Sequence, residues 1–352
     1  MSARHALIGN AKGNFWIHHS EHGFDLTHPS SPDDPPAYPR LPLQTTTSRI
    51  TVDPAKSALV IIDMQNFFLS QNIGRPSDSK GLKAAEQLAK HAIPACRKAG
   101  VQIIWLNWGL TQEEVENMPP ATLRAFGFST VPADQPLSAN ADRQTAVDDH
   151  GVNGGASAIA DKYGTNIKTP TGKDPRIYRG LGSMIDPVQL DDGGSVSGGQ
   201  LLMREQWNTE LHPLLEKARK EGQDAKEGRQ DVWIHKNRMS GLWGGDTLCT
   251  EYLEKQGFRT LLFAGVNTDQ CVSGSLQDAF TKGFDCILLN DGSATTSPDF
   301  AQQCIEFNCA KTWVGLQPLY LTRHFSLHVA LQGFVLSCED LANGVDHLQN
   351  SS

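Results

Sequence analysis

A doubly wound α/β fold, Rossmann-like, with a mostly parallel sheet and helices on both faces in three layers, is what this chain predicts. Two observations carry that expectation. Short apolar runs alternate with helical stretches from residue 56 onward, which is the pattern of right-handed βαβ units. The runs are continuously apolar rather than alternating in polarity, as strands buried on both faces are.

The first run, "SALVIID" (57–63), is read as a strand, followed by a helix over "LKAAEQLAKHAIPACRKAG" (82–100) that ends at a glycine and kinks at Pro94. "VQIIWLNW" (101–108) is the second strand. Residues 109–200 then break the rhythm. "TQEEVENMPPATLRAFGF" reads as a short helix, while "HGVNGGASA" and "DDGGSVSGG" are loop material. A stretch this long inside a compact domain is expected to be a lid or a subunit contact. "TGKDPRIYRG" lacks the G-K-[ST] ending of a phosphate loop and has no strand leading into it.

The rhythm resumes with a helix over "LHPLLEKARKEG", a strand over "DVWIHK" (231–236) and a helix over "DTLCTEYLEKQG" (246–257) with an Asp cap. "TLLFAGV" (260–266) is a strand and "CVSGSLQDAFTKG" (271–283) a helix. "DCILLND" (285–291) is a strand, and "SPDFAQQCIEFNCAKTW" (297–313) is a helix with Ser at its cap and Pro in its first turn. Residues 1–55, rich in Pro, Ser, Thr, Asp and His, read as an extended, non-core N-terminal arm. The domain organisation expected is therefore an arm (1–55), an α/β domain (56–315) with an insertion at about 110–200, and a C-terminal extension (316–352). The extension is expected to pack on the body or on a neighbouring subunit.

Composition narrows the function classes. A 352-residue chain with 39% hydrophobic and 20% charged residues is ordinary for a globular protein, and a net charge of −8 gives no reason to expect nucleic acid or an anionic membrane as partner. No apolar stretch approaches the roughly 20 residues of a membrane span, and the first thirty residues lack a signal-peptide core, so a cytoplasmic location is expected. Seven scattered cysteines with no CxxC pair argue against a disulfide framework or a structural zinc site.

In a doubly wound sheet, ligands bind beyond the carboxyl ends of the strands. Asp63 closes the first strand, Lys236 closes the third, and Cys271 opens the helix after the fourth. Taken singly, a strand-end Asp is a turn former, a strand-end Lys a solvated charge and an apolar Cys a packing residue. Taken together they make a chemically coherent set. A helix N-terminus and a neighbouring ammonium are expected to lower the pKa of Cys271 toward the nucleophilic thiolate. Asp63 would pair with Lys236, accept the thiol proton and return it to a leaving amine. The link "VNTDQ" would supply backbone N–H groups to a tetrahedral oxyanion.

Three separated stretches resemble the isochorismatase-like superfamily of cysteine hydrolases, which includes nicotinamidase and the N-carbamoylsarcosine, ureidoacrylate and biuret amidohydrolases. They are "ALVIIDMQNFF", "VWIHKNRMSGLWGGDTLCTEYLEKQGFRTLLFAGVNTDQCV" and "DAFTKGFDCILLNDGSATTSPDF". The resemblance covers roughly residues 56–110 and 200–315. It implies Asp63 as the base of a D-x-Q motif, Lys236 as the triad lysine and Cys271 as the nucleophile. It also implies a cis peptide between Val266 and Asn267 that turns the Asn267 N–H toward the Cys271 N–H, forming the oxyanion hole. Phe68 and Trp243 match positions that commonly line the acyl pocket, with ordinary core packing the competing explanation.

Two departures refine this. Where nicotinamidases carry a metal-binding D-x-H motif, this chain has "LNWGLTQEE", so no metal is expected, and Asn107 and Trp108 become candidate substrate contacts. Vinyl-ether hydrolases of the superfamily often lack the cysteine that is present here. The implied activity is hydrolysis of the C–N bond of a small amide, ureide or carbamoyl compound through a thioester, with no cofactor. The alternatives are isochorismatase chemistry, releasing pyruvate, and a binding protein that has lost catalysis. A homo-oligomer, dimer or tetramer, is expected from the same resemblance. Arg124, Arg176 and Arg179 are candidate carboxylate anchors, against the commoner role of solvated arginine.

Overall fold

The computed structural model describes residues 4–10, 13–127, 134, 136, 180–185, 187–226, 228–310 and 333–350. Five short strands come first: β1 (His5–Asn10), β2 (Asn14–His19), β3 (Gly23–Leu26), β4 (Leu41–Gln44) and β5 (Arg49–Val52). β6 (Ser57–Ile62) and β7 (Gln102–Trp108) follow, then four two-residue strands, β8 (Met184–Ile185), β9 (Val188–Gln189), β10 (Ser195–Val196) and β11 (Gly199–Gln200). The last four are β12 (Val232–Lys236), β13 (Thr260–Val266), β14 (Asp285–Ala294) and β15 (Phe334–Leu336).

The main sheet has six strands in the order β12-β7-β6-β13-β14-β15, and every neighbouring pair is parallel. The chain winds outward from β6 through β7 to β12, then returns to β13 and winds the other way. The order therefore reverses between β6 and β13, and that crevice is where such sheets receive ligands.

Strand alternation explains why the sheet carries two cores. Leu59, Ile61, Ile103, Trp105, Leu262 and Ile287 face one side, where they meet helices Lys80–Gln87, Ile93–Ala99 and Cys338–Val345. Val60, Ile62, Ile104, Leu261, Phe263 and Leu288 face the other, against helices Leu248–Gln256, Ser273–Thr281 and Asp299–Ala310. This is the three-layer α/β arrangement expected.

Several elements depart from expectation. Residues 5–52 are not an extended, non-core arm. They form a five-stranded sheet, β1-β2-β3-β5-β4, whose Leu26, Leu41, Leu43, Ile50 and Val52 join the main core. Short alternating pieces such as "RITV" and "LPLQ" bury one face each, a signal that the flanking prolines and serines obscure. The sheet is clamped to the body by Asp285, which accepts from the Trp16 indole N–H at 2.8 Å and lies 2.6 Å from His28 Nε2. The C-terminal segment supplies the sixth strand and a covering helix.

The 82–100 helix is three pieces. A π-turn over Leu88–Ala92 sits between Lys80–Gln87 and Ile93–Ala99, and the Ile93 N–H donates to Leu88 O, five residues back. Pro94 has no N–H to give Lys90 O, and the register shift begins in the turn before it. In the insertion, helices Gln112–Glu116 and Pro120–Ala125 and the hairpin strands β8–β11 enclose a third apolar cluster around Trp108, Leu110, Leu181, Leu201 and Leu202. Arg176 and Arg179 lie outside the described residues. Among the described residues no helix is long and apolar enough to cross a membrane.

Candidate active site

Asp63, one residue beyond β6, is fully buried and adopts φ +55°, a left-handed conformation that turns the chain sharply away from the strand end. Its Oδ1 accepts from the Trp108 backbone N–H at 3.1 Å, and its Oδ2 lies 2.9 Å from Lys236 Nζ. Lys236 ends β12, two strands away, with its side chain 1% exposed. Its ammonium donates to the carbonyls of Arg238 (3.1 Å) and Met239 (3.2 Å) and lies 3.5 Å from Cys271 Sγ. The three groups named from the sequence thus meet at one rim of the sheet, at the switch point between β6 and β13.

Trp108 binds this cluster together. Its indole ring lies 4.1 Å from Lys236 Nζ, a desolvated cation–π contact worth about 2 kcal/mol. Its backbone N–H is shared between Asp63 Oδ1 and Gln65 Oε1, each at 3.1 Å. Gln65 is buried and in turn donates to the carbonyls of Trp108 and Thr209, each at 2.8 Å. Gln65 escaped the sequence reading as a site residue. The third letter of its D-x-Q motif was the available signal, because a glutamine just past a buried strand must satisfy its amide locally.

Cys271 does not open a helix. It is the fourth residue of a π-turn, Thr268–Val272, that runs straight into helix Ser273–Thr281. The expected lowering of its pKa is also not what the structure gives. Burial pushes the thiol up to about 12; the Lys236 ammonium and the Trp108 indole N–H oppose this, while the Asp63 charge adds to it. Asp63 is raised too, first by burial and against the pull of Lys236. Both shifts have one cause: a dry rim where charged forms lose their water. The raised thiol keeps Cys271 neutral at rest, while on Asp63 burial favours the neutral carboxyl and the Lys236 ammonium opposes it.

The Val266–Asn267 peptide is cis, as the resemblance implied. Asn107 is fully buried, and neither its amide nitrogen nor its oxygen has a hydrogen-bond partner among the described residues. It sits opposite His235 of β12 and next to Trp108, whose indole nitrogen also lacks a full hydrogen bond there. Phe68 is half-buried, edge-on to Phe67 at 4.9 Å, and packs on the apolar clusters. Trp243 stands 52% exposed on the loop after β12, donating to Asn237 Oδ1 at 3.2 Å with Arg238 at 5.0 Å over its ring. Arg124 is exposed on its short helix.

A cavity of about 1620 Å³ opens nearby, lined by Trp207, His212, Arg219, Trp233 and His235, but none of Asp63, Lys236 and Cys271 lines it. His235 alternates with Lys236 along β12, so the two side chains leave opposite faces of the sheet. Among the described residues no group of three His, Cys, Asp or Glu side chains converges to hold a metal ion.

Residues 200–307 match the family model of the isochorismatase domain. The matched segment holds Lys236, the cis peptide and Cys271, while Asp63 comes from β6 upstream of it. The chain is also similar to two proteins named ureidoacrylate amidohydrolase RutB. That of Agrobacterium fabrum strain C58 is 26% identical over 266 residues, 74% of this chain and 86% of that protein. That of Rhizobium rhizogenes strain K84 is 26% identical over the same length, 80% of that protein. Among solved structures, a cysteine hydrolase from Pseudomonas syringae pv. phaseolicola 1448A aligns over 84% of this chain and 94% of its own, with 14% identity and a TM-score of 0.47.

Proposed function

We propose that this isochorismatase-domain protein is a cysteine hydrolase that cleaves the C–N bond of a small amide, ureide or carbamoyl compound through a thioester. The observation that carries the proposal is the single ammonium, Lys236 Nζ, lying 2.9 Å from a buried carboxylate and 3.5 Å from a buried sulfur. The RutB relatives, whose name specifies an amide substrate, support the same bond class.

The raised pKa values support the following path for the protons. In the resting enzyme Cys271 keeps its proton, and as Sγ attacks the substrate carbonyl carbon that proton passes to Asp63. The carboxyl of Asp63 is suited to hold it, because burial already favours its neutral form. The carbonyl π electrons move to oxygen, and the backbone N–H groups of Asn267 and Cys271 are the donors assigned to that oxyanion. Collapse of the intermediate breaks the C–N bond as Asp63 returns its proton to the departing nitrogen. Water, deprotonated by Asp63, then attacks the thioester, and the sulfur leaves and recovers a proton from Asp63. Lys236 remains an ammonium throughout and offsets whichever of carboxylate or thiolate carries the negative charge.

Of the two candidate substrate contacts, Trp108 adjoins the site, its ring 4.1 Å from Lys236 Nζ, whereas Asn107 is in register with His235 and so leaves the other face of the sheet from Lys236. A panel of amides, ureides, biuret-type compounds and isochorismate, read in parallel for ammonia or amine and for pyruvate, tests the proposal. Amide turnover that disappears in Cys271→Ala is the expected result. Undiminished turnover in that variant, or pyruvate release indifferent to it, would overturn the thioester.

A further inference from the structure

The Lys236 ammonium is held by loop carbonyls as well as by Asp63. Its Nζ donates to Arg238 O at 3.1 Å and to Met239 O at 3.2 Å, both on the loop that follows β12. Where that loop lies therefore decides where the charge sits against Cys271 Sγ, 3.5 Å away. Two residues beyond Met239 the loop passes through Gly241, where a Cβ would come within 2.5 Å of Leu106 Cδ2. A glycine lets the chain press this closely on β7.

The buried Gly241 N–H donates to Ser275 Oγ at 3.1 Å. Ser275 is itself fully buried in helix Ser273–Thr281, and its hydroxyl donates to Cys271 O at 2.8 Å. Taken alone that second bond is ordinary, since a helical serine often bonds back to the carbonyl four residues before it. The acceptor side of the same oxygen is what differs here. It reaches out of the helix to the loop that carries the Lys236 acceptors, so one atom joins the backbone of Cys271 to the mounting of its neighbouring charge. The bonds close a circuit from Lys236 Nζ to Met239 O, along the chain to the Gly241 N–H, through Ser275 Oγ to Cys271 O, and back from Cys271 Sγ to Lys236 Nζ. That corner needs a single atom that both donates and accepts, which a hydroxyl supplies and an alanine methyl does not.

We propose that Ser275 is a positioning residue of this site, holding the Lys236 ammonium against the Cys271 sulfur by tying the loop after β12 to the turn that carries the cysteine. The inference deepens the cysteine-hydrolase reading, on which its catalytic consequence rests. Without the hydroxyl the Gly241 N–H is left in the interior with no acceptor, and the loop shifts toward water, carrying the Arg238 and Met239 carbonyls with it. The other side of Gly241 is anchored separately. Its carbonyl accepts from Thr247 Oγ1 at 2.8 Å, a hydroxyl that also caps helix Leu248–Gln256 and so ties the loop to a different element.

Iodoacetamide labelling of Cys271 in the full chain at about pH 9, followed on its peptide by mass spectrometry, is the test, because it needs no substrate and its rate follows the thiolate fraction. Ser275→Ala is expected to label at least about three-fold more slowly than the wild type, as the thiolate loses the help of the ammonium. Thr247→Ala releases the same glycine from its other side and removes a helix cap, yet should stay within about two-fold of the wild type. In the neutral-pair background Lys236→Met/Asp63→Asn, adding Ser275→Ala should change the rate by less than about two-fold, since the charge it acts through is gone. Melting temperatures check that each variant is folded. On an amide substrate, Ser275→Ala should lower kcat and leave KM unchanged. Unchanged or faster labelling in Ser275→Ala, equal slowing in Thr247→Ala, or the same slowing in the neutral-pair background would each overturn the proposal. The expected labelling pattern without turnover of any amide would sink the hydrolase reading and leave the positioning role of Ser275 standing.

Discussion

Replacing Lys236 by methionine, which nearly preserves volume, isolates the charge at the centre of the site. Lys236 and Asp63 are 1% and 0% exposed, so the pair has no solvent to fall back on. Breaking such a pair by removing one partner costs about 3–5 kcal/mol when the other is left charged. The pH dependence follows from Asp63. Its pKa in the folded protein already lies above 3.8, so the fold binds that proton more tightly than the unfolded chain. The resulting stability is fully present below the ordinary carboxylate pKa and is lost as pH rises through the folded value. Lys236 supplies the two strongest effects holding that value down, and without it the value climbs further. The variant should therefore lose little stability near pH 4 and progressively more toward neutrality, by at most about 1.4 kcal/mol per pH unit. Urea unfolding at stepped pH measures this, with the double variant Lys236→Met/Asp63→Asn as control. Turning the ion pair into a neutral pair should recover most of the loss near neutral pH. An equal loss at every pH, or a double variant no better than the single one, would refute the buried-charge account.

Two further outcomes follow from the same geometry. Trp108→Phe keeps a ring over Lys236 and the backbone N–H to Asp63 but removes the indole N–H that favours the Cys271 thiolate. Turnover should fall between about ten- and hundred-fold, less than for a dedicated oxyanion donor because Lys236 also faces the sulfur, and alkylation of Cys271 should require higher pH. An unchanged alkylation profile would show that the indole N–H does not act on the sulfur. Under iodoacetamide at neutral pH, Cys304, the exposed cysteine, should label first, with Cys271 slow and accelerating as pH approaches about 12. Rapid neutral-pH loss of the unmodified Cys271 peptide by mass spectrometry would place the thiolate in the resting enzyme instead.

The main sheet was legible because its strands are buried on both faces, so "SALVII", "QIIWLNW" and "TLLFAGV" stand out as apolar blocks between polar turns. The N-terminal sheet was not. Its strands are four to six residues long, one-sided or exposed, and separated by proline and serine, and their burial depends on Asp285 and Phe334, nearly three hundred residues further along the chain. Period-two patterns that short cannot be told from extended loop without knowing what lies opposite. β15 shares the difficulty, because three residues, Phe334–Leu336, become a strand only by pairing with β14.

Within the candidate site, position was legible and electrostatics were not. Asp63, Lys236 and Cys271 could each be placed by where an apolar run stops, since the ends of parallel strands share one edge. The sign of the thiol shift depends instead on how much water the fold removes, and that is decided by Trp108, the Arg238 and Met239 carbonyls and the insertion cluster closing around them. A helix end next to an ammonium lowers a pKa only while the desolvation penalty stays smaller than their combined pull. Here the penalty wins for both Cys271 and Asp63, so under the proposed hydrolysis proton transfer and carbon–sulfur bond formation would be concerted, sparing the thiol a costly existence as a buried anion. A solvent isotope effect on acylation follows from that coupling. A rate limited by a pre-formed thiolate would show a pH dependence tracking the thiol alone, and the shared burial of acid and nucleophile argues against it.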